Sequence, residues 1–273
     1  MSTPVAVQPL PRGRVARLVG RRLRDWIPAL VVLVVVLVGW QEAYRVLAIK
    51  QFLLPKPSAI GSTFWDNRSE LLHAGWLTFQ EAVGGFAIGS GLGILVALAL
   101  ARWRFVGRAM MPYAIAANAV PIIAFAPIAN AWFGDFSKAS KIAIAAVLCF
   151  FPVMVNTLRG LTSVKPQSLE LMRSYAAGEV EIFRRVRIPT ALPFMFTALK
   201  VASVLAMIGA IVAEYFGGSF SDLGTLIRSQ YQVFAYEDAW AGILVACAFG
   251  IAFYLAIGLL ERLVLRWQPS TSE

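Results

Sequence analysis

Glu81, Lys200 and Glu214 are ionisable residues near the ends of long runs of Ala, Val, Leu, Ile, Phe and Gly. A charge in such a run is costly. It is kept where it lines a passage or pairs with a neighbouring helix, or where its tip reaches water. The amides Asn118, Asn130 and Asn156 lie nearer the interiors of their runs, where they can hydrogen-bond a solute or another helix. Bond-breaking chemistry is not offered. The single histidine, His73, has no Cys or His near it and reads as a solvated loop residue. No HExxH, GxSxG or GxxxxGK[ST] pattern occurs, so no catalytic residue, metal ligand or resident cofactor is expected. Cys149 and Cys247 fall inside apolar runs and read as small hydrophobes, not a disulfide.

A second kind of chemistry sits in ELMRSYAAGEVEIFRRVRIP, residues 170–189. Charges interrupt the apolar chain here, while apolar residues keep a helical spacing. Pro166 suits the first turn of a helix carrying Leu169, Met172 and Ala176, and Ala176, Ala177 and Gly178 make a slim bend. A second short helix then carries Val180, Phe183 and Val186 on one side with Arg184, Arg185 and Arg187 around it; Pro189 is expected to end it, and Pro193 to open the next run. Such a stripe is buried either on an anionic membrane surface or in a soluble partner's groove, with the aromatic as anchor.

The elements that must position these residues follow from composition. Of 273 residues, 59% are hydrophobic and 15% charged, an excess of apolar surface that calls for a bilayer as solvent. The formal charge of +10 lies beside apolar runs, without a basic face bearing stacking aromatics, which argues against nucleic acid. Six runs are long enough to cross about 30 Å of hydrocarbon as helices: 27–49, 76–101, 109–132, 138–160, 193–215 and 239–263. The expected fold is therefore an all-α, polytopic membrane protein with six transmembrane helices. The third run holds Pro112, Pro121 and Pro127 and must kink. Its segment VPIIAFAP (120–127) is expected to line a central passage, since broken backbone is tolerated at membrane depth only away from lipid.

Residues 1–26 form a basic leader with an amphipathic stretch suited to a lipid surface; no cleavage site follows the first run, so the leader is expected to be retained. Residues 27–268 form the membrane domain, with a loop at 161–192, and 269–273 a short tail. Arginines of the leader, Arg102, Arg104 and Arg108, the loop cations, and Arg262 and Arg266 fall on one side of the six spans. Fewer cations fall on the other: Lys50, Lys56, Arg68, Lys138, Lys141 and Arg228. The positive-inside rule then puts both termini and the loop in the cytoplasm. Small residues recur every fourth position: Gly85, Gly89, Gly93, Ala97 and Ala101; Ala198, Ala202, Ala206 and Ala210; Gly242, Ala246 and Gly250. They permit close helix approach, for static packing or for sliding contacts. The stretch YFGGSFSDLGTLIRSQYQVFAYED (215–238) is expected outside, as a receiving cap or as an interfacial aromatic belt.

The 170–189 segment resembles the cytoplasmic loop of type I ABC importer permeases, E-A-A-x3-G-x9-I-x-L-P. Glu170 falls on the Glu, Leu171 and Met172 replace the two Ala, and Ala176 replaces the Gly. Val186, Ile188 and Pro189 fall on the I, L and P, and a Gly stands two residues late as Gly178. TFQEAVGGF (78–86), VPIIAFAP, FFPVMVNTLRG (150–160) and ALKVASVLAMIGAIVAEYFGG (198–218) are similar to permeases of the nitrate, sulfonate and taurine group, over roughly residues 50–268.

The resemblance implies a bacterial inner-membrane permease, paired with a second permease subunit as a homodimer, served by an external solute-binding protein and driven by separate ABC ATPase subunits that bind the ATP. It implies ATPase docking through Glu170, Ala176, Gly178, Phe183, Arg184, Arg185 and Pro189, and a solute pathway near Glu81, Asn118, Pro121, Phe125, Pro127, Asn156 and Glu214. Glu81, where sulfonate-type permeases carry a basic residue, leans the substrate towards riboflavin, hydroxymethylpyrimidine or a similar heterocyclic precursor. Nitrate, taurine or an alkanesulfonate is the alternative. An ion-coupled secondary transporter is a more distant one, since the two halves show no repeat.

Overall fold

In lipid the backbone must satisfy its own hydrogen bonds, and an apolar chain of this kind does so as helices. The computed structural model describes residues 13–46, 54–103, 109, 112–113, 116 and 121–266. Asn118, most of the first half of the third run, the start of the leader and the C-terminal tail lie outside the described residues. The described residues contain helices and no strand. The chain divides into two compact units, residues 1–61 and 62–273.

In the first unit, α1 (Gly13–Val46) carries the apolar stretch Ile27–Ala43. Its side chains from Ile27 to Val38 are exposed all round, an arrangement that only lipid or another apolar helix can solvate. The Gln41 amide brackets the start of α2 (Pro57–Asp66): its Nε2 donates to Ser58 Oγ at 3.1 Å, and Ser58 N donates to its Oε1 at 3.3 Å.

The second unit runs through α3 (Arg68–Arg102), α4 (Ile122–Phe133), α5 (Lys138–Thr162), α6 (Pro166–Ser174), α7 (Glu179–Ile182), a π turn (Phe183–Arg187), α8 (Ile188–Phe216), α9 (Leu223–Gln232) and α10 (Tyr236–Val264). Among the described residues, four helices are long and apolar enough to cross a membrane: α3, α5, the continuous Glu179–Phe216 and α10. Of the six runs read from the sequence, these account for the second, fourth, fifth and sixth. The third is represented by the 12-residue α4, which starts directly after Pro121 and contains Pro127.

Helices α3, α5 and α8 form the centre. A Cβ on Gly89 would lie 2.1 Å from the Ala146 carbonyl oxygen, and one on Gly93 2.7 Å from that of Phe150. The stripe on α3 is therefore a seat for the α5 backbone, the close approach that lipid-embedded helices use in place of a hydrophobic drive. Ala198, Ala202, Ala206 and Ala210 of α8 are all buried in the same core, where Cys149 Sγ donates to the Ala202 carbonyl at 3.2 Å. Helix α10 closes against α3 through Phe79, Phe86, Phe249 and Phe253 with tilted and edge-on rings. The ion pair Lys200–Glu261, at 2.7 Å, ties α8 to α10.

Two expectations are overturned. His73, read as a loop residue, stands exposed on helix α3. The other concerns two prolines. Pro189 does not end a helix and Pro193 does not open one: both lie inside the uninterrupted Glu179–Phe216. A proline ring in a regular α-helix collides with the carbonyl four residues back. The π turn widens the chain just before Pro189, with Ile188 N–H donating to Phe183 O, five residues back. That wider turn accommodates the proline without a break.

Candidate functional site

The segment between α5 and α8 projects as a hook. Pro166 begins α6 at its first turn, as its fixed φ favours. Helix α6 ends at Tyr175, and Ala176 takes φ +55°, with Ala176 N donating to Arg173 O and Ala177 N to Met172 O. The left-handed residue thus stands where the resembled loop has its Gly, and Gly178 keeps an ordinary extended backbone. The hook then returns directly into α7, the π turn and α8.

Its surface differs from the amphipathic reading in one respect. Phe183 is half-buried against Ala97, Ala101, Met154, Leu158, Leu161 and Ala191, so its ring holds the hook to the bundle. The apolar groups left outside are Leu171, Tyr175 and Val180, the last 82% exposed. Glu170, Ala176, Gly178 and Arg184 are exposed, Arg185 pairs with Glu181 at 3.2 Å, and Pro189 is half-buried. Tyr175 and Val180 carried a signal in the sequence, being apolar residues among charges, but their helix rotation was not legible.

At the opposite end of the bundle, Glu81 and Glu214 are brought together in a buried polar node. Both are at most 2% exposed. Glu214 Oε2 accepts from Gly224 N at 2.7 Å, and Thr78 Oγ1 accepts from Leu223 N at 3.1 Å, so α8 and α3 each hold one N–H of the first turn of α9. A carboxylate is well placed there, facing the positive end of the helix dipole. Thr225 Oγ1 returns a bond to the Glu214 carbonyl at 3.0 Å. Asp222, at the N-cap of α9, accepts from Ser219 N at 2.8 Å.

The carboxylate oxygens of Glu81, Glu214 and Asp222 lie within 4.8 Å of one another, close enough to share one cation. Lys141 of α5, 1% exposed, interacts electrostatically with all three, and its ammonium donates to the Asp135 carbonyl. One oxygen each of Glu81 and Glu214 has no hydrogen-bond partner. The sequence pointed to Glu81 and Glu214, but not to Thr78, Lys141 and Asp222.

Of the remaining expected pathway residues, Pro121, Phe125, Pro127 and Asn156 do not join the node, and Asn118 lies outside the described residues. Pro121 is exposed at the N-terminus of α4 and Pro127 exposed on it, whereas Phe125 packs against Ala126, Ala129, Ile144 and Ala213 and edge-on against Trp132. Asn130, 1% exposed, donates from Nδ2 to the Ala213 carbonyl at 3.1 Å, a helix–helix bond. Asn156 is half-buried and donates to its own helix, at Pro152 O, 2.8 Å away.

Comparison with known proteins adds the family. Residues 89–267 match the family described as binding-protein-dependent transport system inner membrane component. The chain is similar to the riboflavin transport system permease protein RibX of Chloroflexus aurantiacus, 31% identical, covering 96% of this chain and 99% of that one. It is similar to the formylaminopyrimidine transport permease protein ThiX of Halalkalibacterium halodurans, 34% identical over 85% of this chain and 92% of that one. It is also 29% identical to the putative aliphatic sulfonates transport permease protein SsuC of Bacillus subtilis, covering 92% of this chain and 91% of the relative.

Proposed function

The chain belongs to the family of binding-protein-dependent transport system inner membrane components, and from that membership we propose how it works and what it carries. It is the permease subunit of an ATP-driven importer of the type I class, a multi-pass protein of the inner membrane. Such systems comprise ATPase and solute-binding partners. Our reading adds that the chain spans the bilayer six times, with α1 and the third run supplying the two spans beyond the four long helices. Both termini and the hook face the cytoplasm. Two copies enclose the passage, all ATP is bound and hydrolysed by the ATPase, and this chain carries neither a catalytic residue nor a resident cofactor or metal.

The observation that carries the reading is the hook. It leaves Leu171, Tyr175 and Val180 uncovered amid Glu170, Arg184 and Arg185, and is spliced without a break into a spanning helix. An apolar knob with a charged rim is what a partner's groove buries. Closing of the ATPases would move the hooks and, through Glu179–Phe216, the passage between them. In this scheme Ala176 and Gly178 form the slim bend entering the groove, and Phe183 and Pro189 fix its angle. Glu81, Asn118, Pro121, Phe125, Pro127, Asn156 and Glu214 flank the route.

For the substrate we propose a heterocyclic vitamin or precursor such as riboflavin or a pyrimidine. The two relatives named for such compounds support it. An aliphatic sulfonate is the second reading, supported by the third relative. Uptake into vesicles holding the permease, its ATPase and binding protein tests both parts. Riboflavin or formylaminopyrimidine should enter with ATP and an alkanesulfonate should not. Leu171→Ala with Tyr175→Ala should lower ATPase capture and uptake together, on the order of tenfold or more. Normal capture and coupling in that variant would rule out docking through the hook.

A further inference from the structure

A cavity of about 580 Å³ lies beneath the hook, between it and the last turn of α3. Three guanidinium groups line it, from Arg102, Arg173 and Arg187, against one carboxylate, Glu179, with Leu98 and Phe183 supplying apolar wall. Arg173 and Glu179 are only loosely paired, at 3.7 Å, and both are largely exposed. Arg187 is 9% exposed, and its contact with the Ala101 carbonyl is long, 3.5 Å. That contact helps cap the end of α3 but leaves the charge unneutralised. Arg102 has no hydrogen-bond or ion-pair partner among the described residues. Three guanidinium groups thus share a single carboxylate among the described lining residues, and guanidinium forks match phosphate oxygens in both shape and charge.

The surroundings say which phosphate. Ile88, Leu92 and Leu95 are 51%, 51% and 63% exposed on α3. Their spacing of four and three continues through Leu98 to Arg102, placing all five along one side of the helix. An uncovered apolar stripe on a spanning helix runs alongside acyl chains, and this one ends at the cationic cavity. A soluble phosphate would use the arginines alone; an amphiphile uses the stripe as well.

We propose that the cavity beneath the hook binds the headgroup phosphate of an anionic phospholipid, with an acyl chain lying along the Ile88–Leu95 face of α3. The lipid then braces the hook from the membrane side through Arg173 and Arg187, while Leu171 and Tyr175 remain free on the other. The site requires that the chain spans a bilayer; it does not require that the hook docks an ATPase.

Native mass spectrometry of the purified permease–ATPase complex tests it, with phosphatidylglycerol and phosphatidylcholine offered at equal concentration. The wild type should retain phosphatidylglycerol in preference, on the order of tenfold. Arg102→Gln with Arg173→Gln, both on exposed positions, should abolish the preference without shifting the thermal midpoint. Arg262→Gln with Arg266→Gln, exposed at the end of α10 and outside both the cavity and the hook, removes the same charge and should keep it. Retention unchanged in the first variant, or lost equally in the second, overturns the assignment. Inorganic phosphate is the third arm: if it occupies the cavity in lipid-free detergent and excludes phosphatidylglycerol, the ligand is a soluble anion and the lipid reading fails. If the hook docks nothing, uptake fails but lipid retention stands, so the two readings separate.

Discussion

At the scale of single residues, Glu214 bears more of the structure than its place in an apolar run suggests. Its carboxylate receives the Gly224 N–H, and with Thr78 it fixes the start of α9. Glu214→Ala should leave a buried donor unpaired and cost about 1–3 kcal/mol, whereas Glu214→Gln keeps an acceptor oxygen and should lose much less. Thermal unfolding in detergent reads the difference; equal midpoints for the two variants would contradict it. The sequence marked Glu81 and Glu214 because a charge in oil is conspicuous. It could not mark Lys141, which served there only as a topological cation, or Asp222, which looked like a loop residue. Their meeting depends on the rotation of α3, α5 and α8 about their own axes, which spacing along one chain does not reveal. Phe183 shows the same limit: an aromatic among arginines reads as an anchor for a partner, and spacing alone did not reveal that the ring is half-buried against the core cluster at this end of the bundle.

At the scale of elements, small-residue spacing was informative because it states which face of a helix admits another backbone. Gly89→Ala would put a methyl group 2.1 Å from the Ala146 carbonyl. It should push α3 from α5 and destabilise by about 1–3 kcal/mol, typical of overpacking. Gly91, one turn-face away, meets nothing within 4 Å; Gly91→Ala should be neutral or stabilising by up to about 1 kcal/mol from helix propensity. Denaturation midpoints of the two variants should therefore move apart, and parallel shifts would count against the seat. Helix existence was legible for the four long spans and for α6, which Pro166 opened, but not for α2, α9 or the first turns of α3 that hold His73, since those stretches read as external loop. The junction at Pro189 was not, because a proline usually signals a stop, and only the widened turn before it removes the collision.

At the scale of the whole molecule, the proposed scheme has the chain supply a route and a handle, and the sequence contains no GxxxxGK[ST] loop. Vesicles holding this chain alone should accumulate no solute above equilibrium, with or without ATP, and should do so once ATPase and binding protein are added. Accumulation by the lone subunit, measured with labelled solute, would contradict its place in an ATP-driven importer. Membrane residence and spanning segments were readable from composition, since no soluble core of this size consumes so much apolar surface. The hook and the polar node, described above as separate places, are the two ends of one rod. Glu179–Phe216 is 38 residues of continuous helix, widened once by the π turn, about 57 Å long, and Glu214 rides at its far end. In the proposed scheme a displacement of the hook at residue 179 is carried along this helix, past the buried Ala198–Ala210 stripe, to the carboxylate that holds the first turn of α9.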